Sequence, residues 1–168
     1  FSEKSKQFWF ASTPQIDNEI KVRFEHSWKK AAAGEYSQWR ESADGSVALI
    51  VILDQFPLNM YRLKPKSFQT ENMAVDVALN AINNGYDEEL NDEQLLFLFM
   101  PLMHSENIDH QNLQVYLFEK YNFNLDYSKH HRDLVKRFGR FPHRNEILGR
   151  MSTMEEIDYL LSDNAFRG

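Results

Sequence analysis

The chain has no cysteine, which excludes disulfides, thiolate zinc sites, cysteine-bound iron–sulfur clusters and cysteine nucleophiles at once. It is also poor in the residues that interrupt regular structure, with six Gly and five Pro in 168 residues. Long apolar runs are missing. The longest, residues 47–53 and 95–103, span seven and nine residues, whereas a membrane-spanning helix needs roughly 20. Glu3, Lys4 and Lys6 near the start, with no apolar stretch behind them, give no signal-peptide pattern, so the cytoplasm is the default expectation. What remains is 42% hydrophobic and 26% charged residues, the balance of a folded soluble chain, and a length that suits one domain over residues 1–168.

Apolar spacing follows the helical period, so the fold class is all-α. Ile16, Ile20, Phe24 and Trp28 recur every four residues on a first helix that ends near Gly34. A second helix begins near Asp44 and runs through Leu53; this β-branched stretch could also form a buried strand, and Pro57 bounds it in either case. From Ser67 a third helix lines up Phe68, Ala74, Val77, Ala78, Ala81 and Ile82 and closes at Asn84-Gly85. Asn91 and Gln94 form a capping box ahead of a helix that is apolar almost all round and therefore central. Helices follow from Ile108 to about Asn122 and from Asp126 to Phe138, the latter stopped by Gly139. Ser152 with Glu155 reads as a second capping box, opening a helix that buries Ile157, Leu160 and Leu161. Seven to eight helices with short joints imply stacked antiparallel hairpins, in a bundle or a short superhelical stack. Trp9, Trp28 and Trp39 suit packing among the N-terminal helices, and exposed aromatics near Trp9 and Trp39 could serve a homodimer interface.

Three polar islands interrupt the apolar pattern. In the first, Leu53-Asp-Gln-Phe-Pro-Leu-Asn59, Asp54 could act as a general base, a metal ligand or the orienter of a histidine. Equally, Asp54, Gln55 and Asn59 could satisfy backbone groups freed around Pro57. In the second, Met100-Pro-Leu-Met-His-Ser-Glu106, His104 and Glu106 follow the most apolar run and need partners or a solvated cavity. Glu106 and His110 stand four apart, as two metal ligands would, but the spacing matches no strict motif; Ser105 could instead cap the next helix. In the third, two Lys and five Arg against two acids give residues 129–150 a net charge of +5 within a chain of net charge −6. Arg137, Arg140, Arg144 and Arg150 are separated by Gly139, Pro142 and Gly149, so turns bring guanidinium groups together. Such a cluster grips a carboxylate or phosphate, or pairs internally with acids such as Asp54 and Glu106; the acidic balance of the chain argues against nucleic acid.

These islands in this order, with Phe8-Trp-Phe10 before them and Leu148-Gly-Arg150 and Ser152 after, resemble the DUF924 family of mostly bacterial proteins over nearly the whole chain. The resemblance implies an all-helical, tetratricopeptide-like fold. It marks Asp54, Gln55, Asn59, His104, Glu106, Gln111, Arg137, Arg140, His143, Arg144 and Asn145 as motif positions, and it implies no established substrate. Leu58 stands where the family's first motif is expected to carry Arg, and His110 where an acid is expected.

Two functions fit. In the first, a small anionic molecule sits in a cleft, held by Gln55, Asn59, Gln111, Arg137, Arg140, Arg144 and Asn145. His104, Glu106, His143 and Asp54 are then the candidates for hydrolase- or lyase-like proton transfer. In the second, the chain is a non-catalytic helical module for a protein or peptide partner, with the motifs as an internal polar frame. Neither calls for a cofactor, a membrane or nucleic acid. A third, metal-assisted reading through His104, Glu106, Asp54 and His143 requires ligand atoms about 2.0–2.2 Å from one centre, and no metal is assigned.

Overall fold

Thr13 opens the first helix: its hydroxyl accepts from the Ile16 amide, and Pro14 takes the first position, where a missing N–H costs nothing. The computed structural model describes residues 12–167, and among these it contains seven α-helices and no strand. Helix α1 is Pro14–Ala32; its stripe deepens along the chain, from half-buried Ile16, Ile20 and Phe24 to buried Trp28.

Helix α2 corrects the expectation that Pro57 ends it. Ala43–Ile50, Val51–Gln55 and Phe56–Met60 continue without a break, and the middle segment is a π turn in which the Phe56 amide donates to the Val51 carbonyl, five residues back. The reason lies in the proline. It has no N–H for the Leu53 carbonyl, and its ring crowds that carbonyl, so a wider turn relieves the clash. The freed Leu53 carbonyl accepts from the Thr70 hydroxyl, which in turn accepts from Trp28 Nε1 at 3.0 Å. Residues 47–53 are therefore helix, not strand, and all but Ala48 and Val51 are buried.

Helix α3, Glu71–Asn83, begins after Ser67 because Pro65–Phe68 forms a 3₁₀ turn of its own. It closes at Gly85, as the sequence indicates, with φ of 74°. Helix α4, Asp92–His104, carries both halves of the Asn91–Gln94 capping box and is the buried centre. Helices α5, Ile108–Lys120, and α6, Asp126–Phe138, follow, with Gly139 at φ 70° stopping α6.

The last helix, α7, Met154–Leu161, departs from the sequence reading twice. Its capping box is Thr153–Glu156, one residue later than expected, and Ser152 instead accepts from Asn145 Nδ2. Ile157 and Leu161 are exposed and Leu160 is half-buried, while Glu156 is buried, because its carboxylate must reach Arg140. Phe8, Trp9 and Phe10 lie outside the described residues; Trp39 is half-buried, stacked on Tyr36 at 4.6 Å.

Helix α2 packs on α1, α3 and α4; α4 pairs with α3 and α5, and α6 folds back on α5. One large apolar cluster joins α1 to α5. A second, small one is built on Leu134, Val135 and Phe141, with Phe138, Tyr159 and Phe166 against it.

Thr70→Val would strand the Leu53 carbonyl and the Trp28 indole N–H in the core, at a cost of about 2–3 kcal/mol. At this chain length that lowers Tm by roughly 5–10 °C, whereas Thr70→Ser retains most of the stability. Thermal unfolding of both variants checks this, and a wild-type Tm for Thr70→Val would refute the role given to the hydroxyl.

Candidate functional site

The π turn delivers Asp54 to the interior, where it is 3% exposed. His104, the last residue of α4, meets it with Nδ1 at 2.9 and 3.0 Å from the two carboxylate oxygens, and the Gln55 amide donates to the same carboxylate. A carboxylate accepts, so Nδ1 carries the proton and Nε2 is the free ring nitrogen, with no hydrogen-bond partner among the described residues. Burial opposes a charge on His104, but the charge and hydrogen bond of Asp54 outweigh it and hold the imidazole pKa above its ordinary value.

Gln111 fixes the end of α4. Its Nε2 donates to the carbonyls of Leu102, Met103 and Ser105, which the helix end leaves without intrahelical partners. Asn59 does similar work on α2, donating to the Gln55 carbonyl and accepting from Arg62.

The basic island closes around this pair. Arg144 lies between the rings of Phe68 and Phe141, its guanidinium carbon 4.5 and 4.8 Å from their centroids. It donates to Glu71 and to the His104 carbonyl, both at 2.9 Å. Burial raises the Glu71 pKa even with Arg144 beside it. Glu106 takes two bonds from Arg150, at 2.6 and 2.9 Å, and one from the Phe141 amide at 2.8 Å. Although burial works against its charge, these bonds lower the pKa of Glu106. Asn145 accepts from Arg150 Nε at 3.0 Å. Arg140 grips Glu156 with two bonds and pulls that carboxyl down to about 2. Arg137 pairs with Glu155 on the surface.

Thus Asp54, His104, Glu106, Arg144 and Asn145 come together with Glu71 and Arg150. Arg140 stands one ion pair away, and Arg137 lies at the rim. Ser105 does not cap α5; Asn107 does, while Ser105 Oγ lies 2.9 Å from His110 Nδ1. No group of three or more His, Asp or Glu among the described residues is placed to hold a metal ion.

A cleft of about 330 Å³ opens at the seam between the two apolar clusters. Leu58, Leu63, Phe68, Phe141, Ile147 and Phe166 supply its apolar wall, and His104, His131, His143, Arg62, Arg144 and Arg167 most of its polar part. The described lining contains no acid. Burial, then the positive charge of Arg144, lowers the pKa of His143 to about 4; burial likewise takes His131 to about 4, against the pull of its bond to the Tyr127 carbonyl. Both are neutral near pH 7. His143 Nδ1 is buried without a hydrogen-bond partner among the described residues. A second, more open recess of about 570 Å³ lies over Ser105 and His110, with Glu71 and Glu106 at its edge.

Sequence reasoning missed Glu71, Arg62, His131 and Phe166. Glu71 and Arg62 sit in ordinary surface-type patterns, and nothing local marks them. His131 had a signal in its place on the strongly amphipathic α6, where its position selects it over His130 for burial.

These features define an all-helical protein in which a buried aspartate holds a half-buried histidine, with a glutamate-held arginine cluster at the end of its central hairpin. The chain belongs to the DUF924 family, bacterial proteins of unknown function, whose family model matches residues 1–164. It is similar in structure to a protein of unknown function from Agrobacterium tumefaciens, with a TM-score of 0.89 and 36% identity, covering 96% of this chain and 92% of that one. No curated protein matches it.

Glu106→Ala takes the carboxylate from Arg150, which keeps only its neutral acceptors Asn145 and the Phe141 carbonyl, leaves the Phe141 amide unpaired and should cost about 2–3 kcal/mol; Arg137→Ala, at an exposed pair, should stay within about 0.5 kcal/mol. Urea unfolding of the two variants measures the contrast, and equal effects would contradict it. His131 and His143 bind protons more readily in the unfolded chain, whose histidines titrate near 6.5, than in the folded one. Stability should therefore hold above about pH 6.5 and fall as pH drops from there toward 4. His104 has the opposite sign: its contribution is complete below about 6.5 and is lost as pH rises through its raised folded pKa. Denaturation midpoints from pH 4 to 9, compared with His143→Phe, should show a shallower acid slope in the variant; an unchanged slope would remove His143 as a cause.

Proposed function

We propose that the protein binds a small organic anion in the histidine-lined cleft and moves a proton to or from it through His104 Nε2, in a hydrolysis or elimination step. One observation carries this reading: the 2.9 Å grip of Asp54 on Nδ1 orients the ring and leaves Nε2 uncommitted in a residue that lines the cleft. The raised pKa of His104 favours its protonated, donating form, whereas His143, lowered to about 4, is a neutral acceptor near pH 7. Arg167, with Arg62 and Arg144 whose paired acids Asp17 and Glu71 stand outside the lining, favours a carboxylate or phosphate in a cleft whose described lining contains no acid. Gln111, Asn145, Arg140 and Glu106 act as supports for that site, each committed to backbone or to a charged partner.

The pairing of Arg137, Arg140, Arg144 and Arg150 with glutamates favours a second reading, an internal frame in a tetratricopeptide-like module for a peptide partner.

Thermal unfolding with carboxylates and phosphates separates the two. An anion at about 100 times its Kd stabilises the native state by about 2.7 kcal/mol, roughly 5–10 °C here, and the shift should shrink in His104→Gln and Arg62→Ala. If no anion moves the wild-type Tm, the cleft reading fails and the frame reading stands.

A further inference from the structure

We infer that the anion carries an aromatic ring: the cleft takes aryl carboxylates or aryl phosphates, with the ring in the slot that Phe166 now fills. The inference rests on the small-anion reading above and adds the body of the ligand to it.

The slot is already defined by an occupant. Phe166 stands edge-to-face against His131 and His143, with centroids 4.6 and 5.0 Å apart and planes at 67° and 82°, and it also meets His130 at 5.8 Å. This is the geometry in which one planar ring recognises another. The segment that brings Phe166 there is tied by few bonds: the Phe166 amide donates to the Tyr159 hydroxyl, which donates to the Asn164 carbonyl at 3.5 Å, and the Ala165 amide donates to the Ser162 carbonyl. A ring on a free ligand can therefore replace it, at the cost of competing with a group already held close by.

The rest of the cleft sets the other end of the molecule. Leu58, Phe68 and Phe141 offer nothing to the hydroxyls of a sugar phosphate or a small hydroxy acid, and hydroxyls facing that wall would lose water without gaining partners. Arg167 has no partner among the described residues and lines the cleft beside Phe166. His104 lines the same cleft, its Nδ1 held by the Asp54 carboxylate at 2.9 Å and its Nε2 without a hydrogen-bond partner among the described residues. With Phe166 in place the open volume is about 330 Å³, at the small end of the roughly 300–1,000 Å³ range of ligand clefts, and displacing Phe166 adds room for a single ring, which suits a one-ring acid rather than a dinucleotide.

Calorimetric titration should compare benzoate, phenylacetate and phenyl phosphate with malate, glycerol phosphate and inorganic phosphate, on the wild type and Phe166→Ala. The aryl anions are expected to bind at least about tenfold more tightly than the polar ones. Phe166→Ala should strengthen the aryl anions by about a further tenfold and leave inorganic phosphate unchanged. Phe166→Leu, which keeps an apolar group in the slot, should give a smaller gain, and it carries the test if the alanine variant does not fold. Polar anions binding as tightly as aryl ones, or aryl affinities indifferent to residue 166, would overturn the ring and leave the anion site intact. Binding of no anion to any variant would overturn the anion site first, and the ring with it.

Discussion

A single missing backbone N–H, that of Pro57, sets the geometry on which the rest depends. A proline inside a helix removes one bond and crowds the carbonyl four residues back, a cost of about 3 kcal/mol when nothing compensates. Here the turn widens over Val51–Gln55, and the displaced Leu53 carbonyl is taken by Thr70, which is itself fixed by Trp28. That chain of bonds ties α1, α2 and the start of α3 together. The same widened turn holds Asp54, so a repair of local strain and the placement of a buried carboxylate are one event. π turns within α-helices often mark functional positions. In this chain the turn's acid meets the histidine at the end of the most buried helix.

A buried carboxylate is tolerable only where its charge is answered, and the chain answers its acids in pairs. Glu71 faces Arg144, Glu106 faces Arg150, and Glu156 faces Arg140. Of these six residues only Arg144 lines the cleft, with its Glu71 set behind it, and an acidic protein thus has a cleft with no acid in its described lining. Pairs of this kind add little net stability over apolar packing, and removing one partner is what costs. Their use is orientation: Arg144 is held on two rings and two acceptors, and through the His104 carbonyl it also braces the end of α4.

The helices were legible because each has a period and most have end signals that act within four residues. The Asn91–Gln94 box and the Gly85 and Gly139 stops are where local chemistry puts them. The misses have a physical cause as well. Ser152–Glu155 and Thr153–Glu156 are equivalent as capping patterns, and the choice is made by Arg140, sixteen residues away from Glu156. Pro57 was read as a stop because the relief comes from Thr70, seventeen residues from Leu53. The site was legible only in part for the same reason. Asp54, His104, Glu106 and Arg144 stand out as polar residues in apolar or turn-rich surroundings, but the partner of Arg144 is Glu71, 73 residues distant. No periodicity within a helix names a partner at that range.

The cleft lies where the main core meets the small cluster around Phe141, and a seam between two packed units would ordinarily be loose. Phe141 shows why this one is not. Its amide donates to Glu106 and its carbonyl accepts from Arg150, while its ring underlies Arg144 and touches His131 and His143. The ion pair of Glu106 and Arg150 thus closes on both polar groups of one buried residue and fixes the ring against which the histidines and the guanidinium are set. A side chain held to within a fraction of an ångström needs supports whose own positions are determined. Here the support is a backbone clamp on the seam itself, so the polar frame and the cleft are consecutive layers of one construction: the frame spends its charges on rigidity, and the histidines in front of it are left with uncommitted nitrogens.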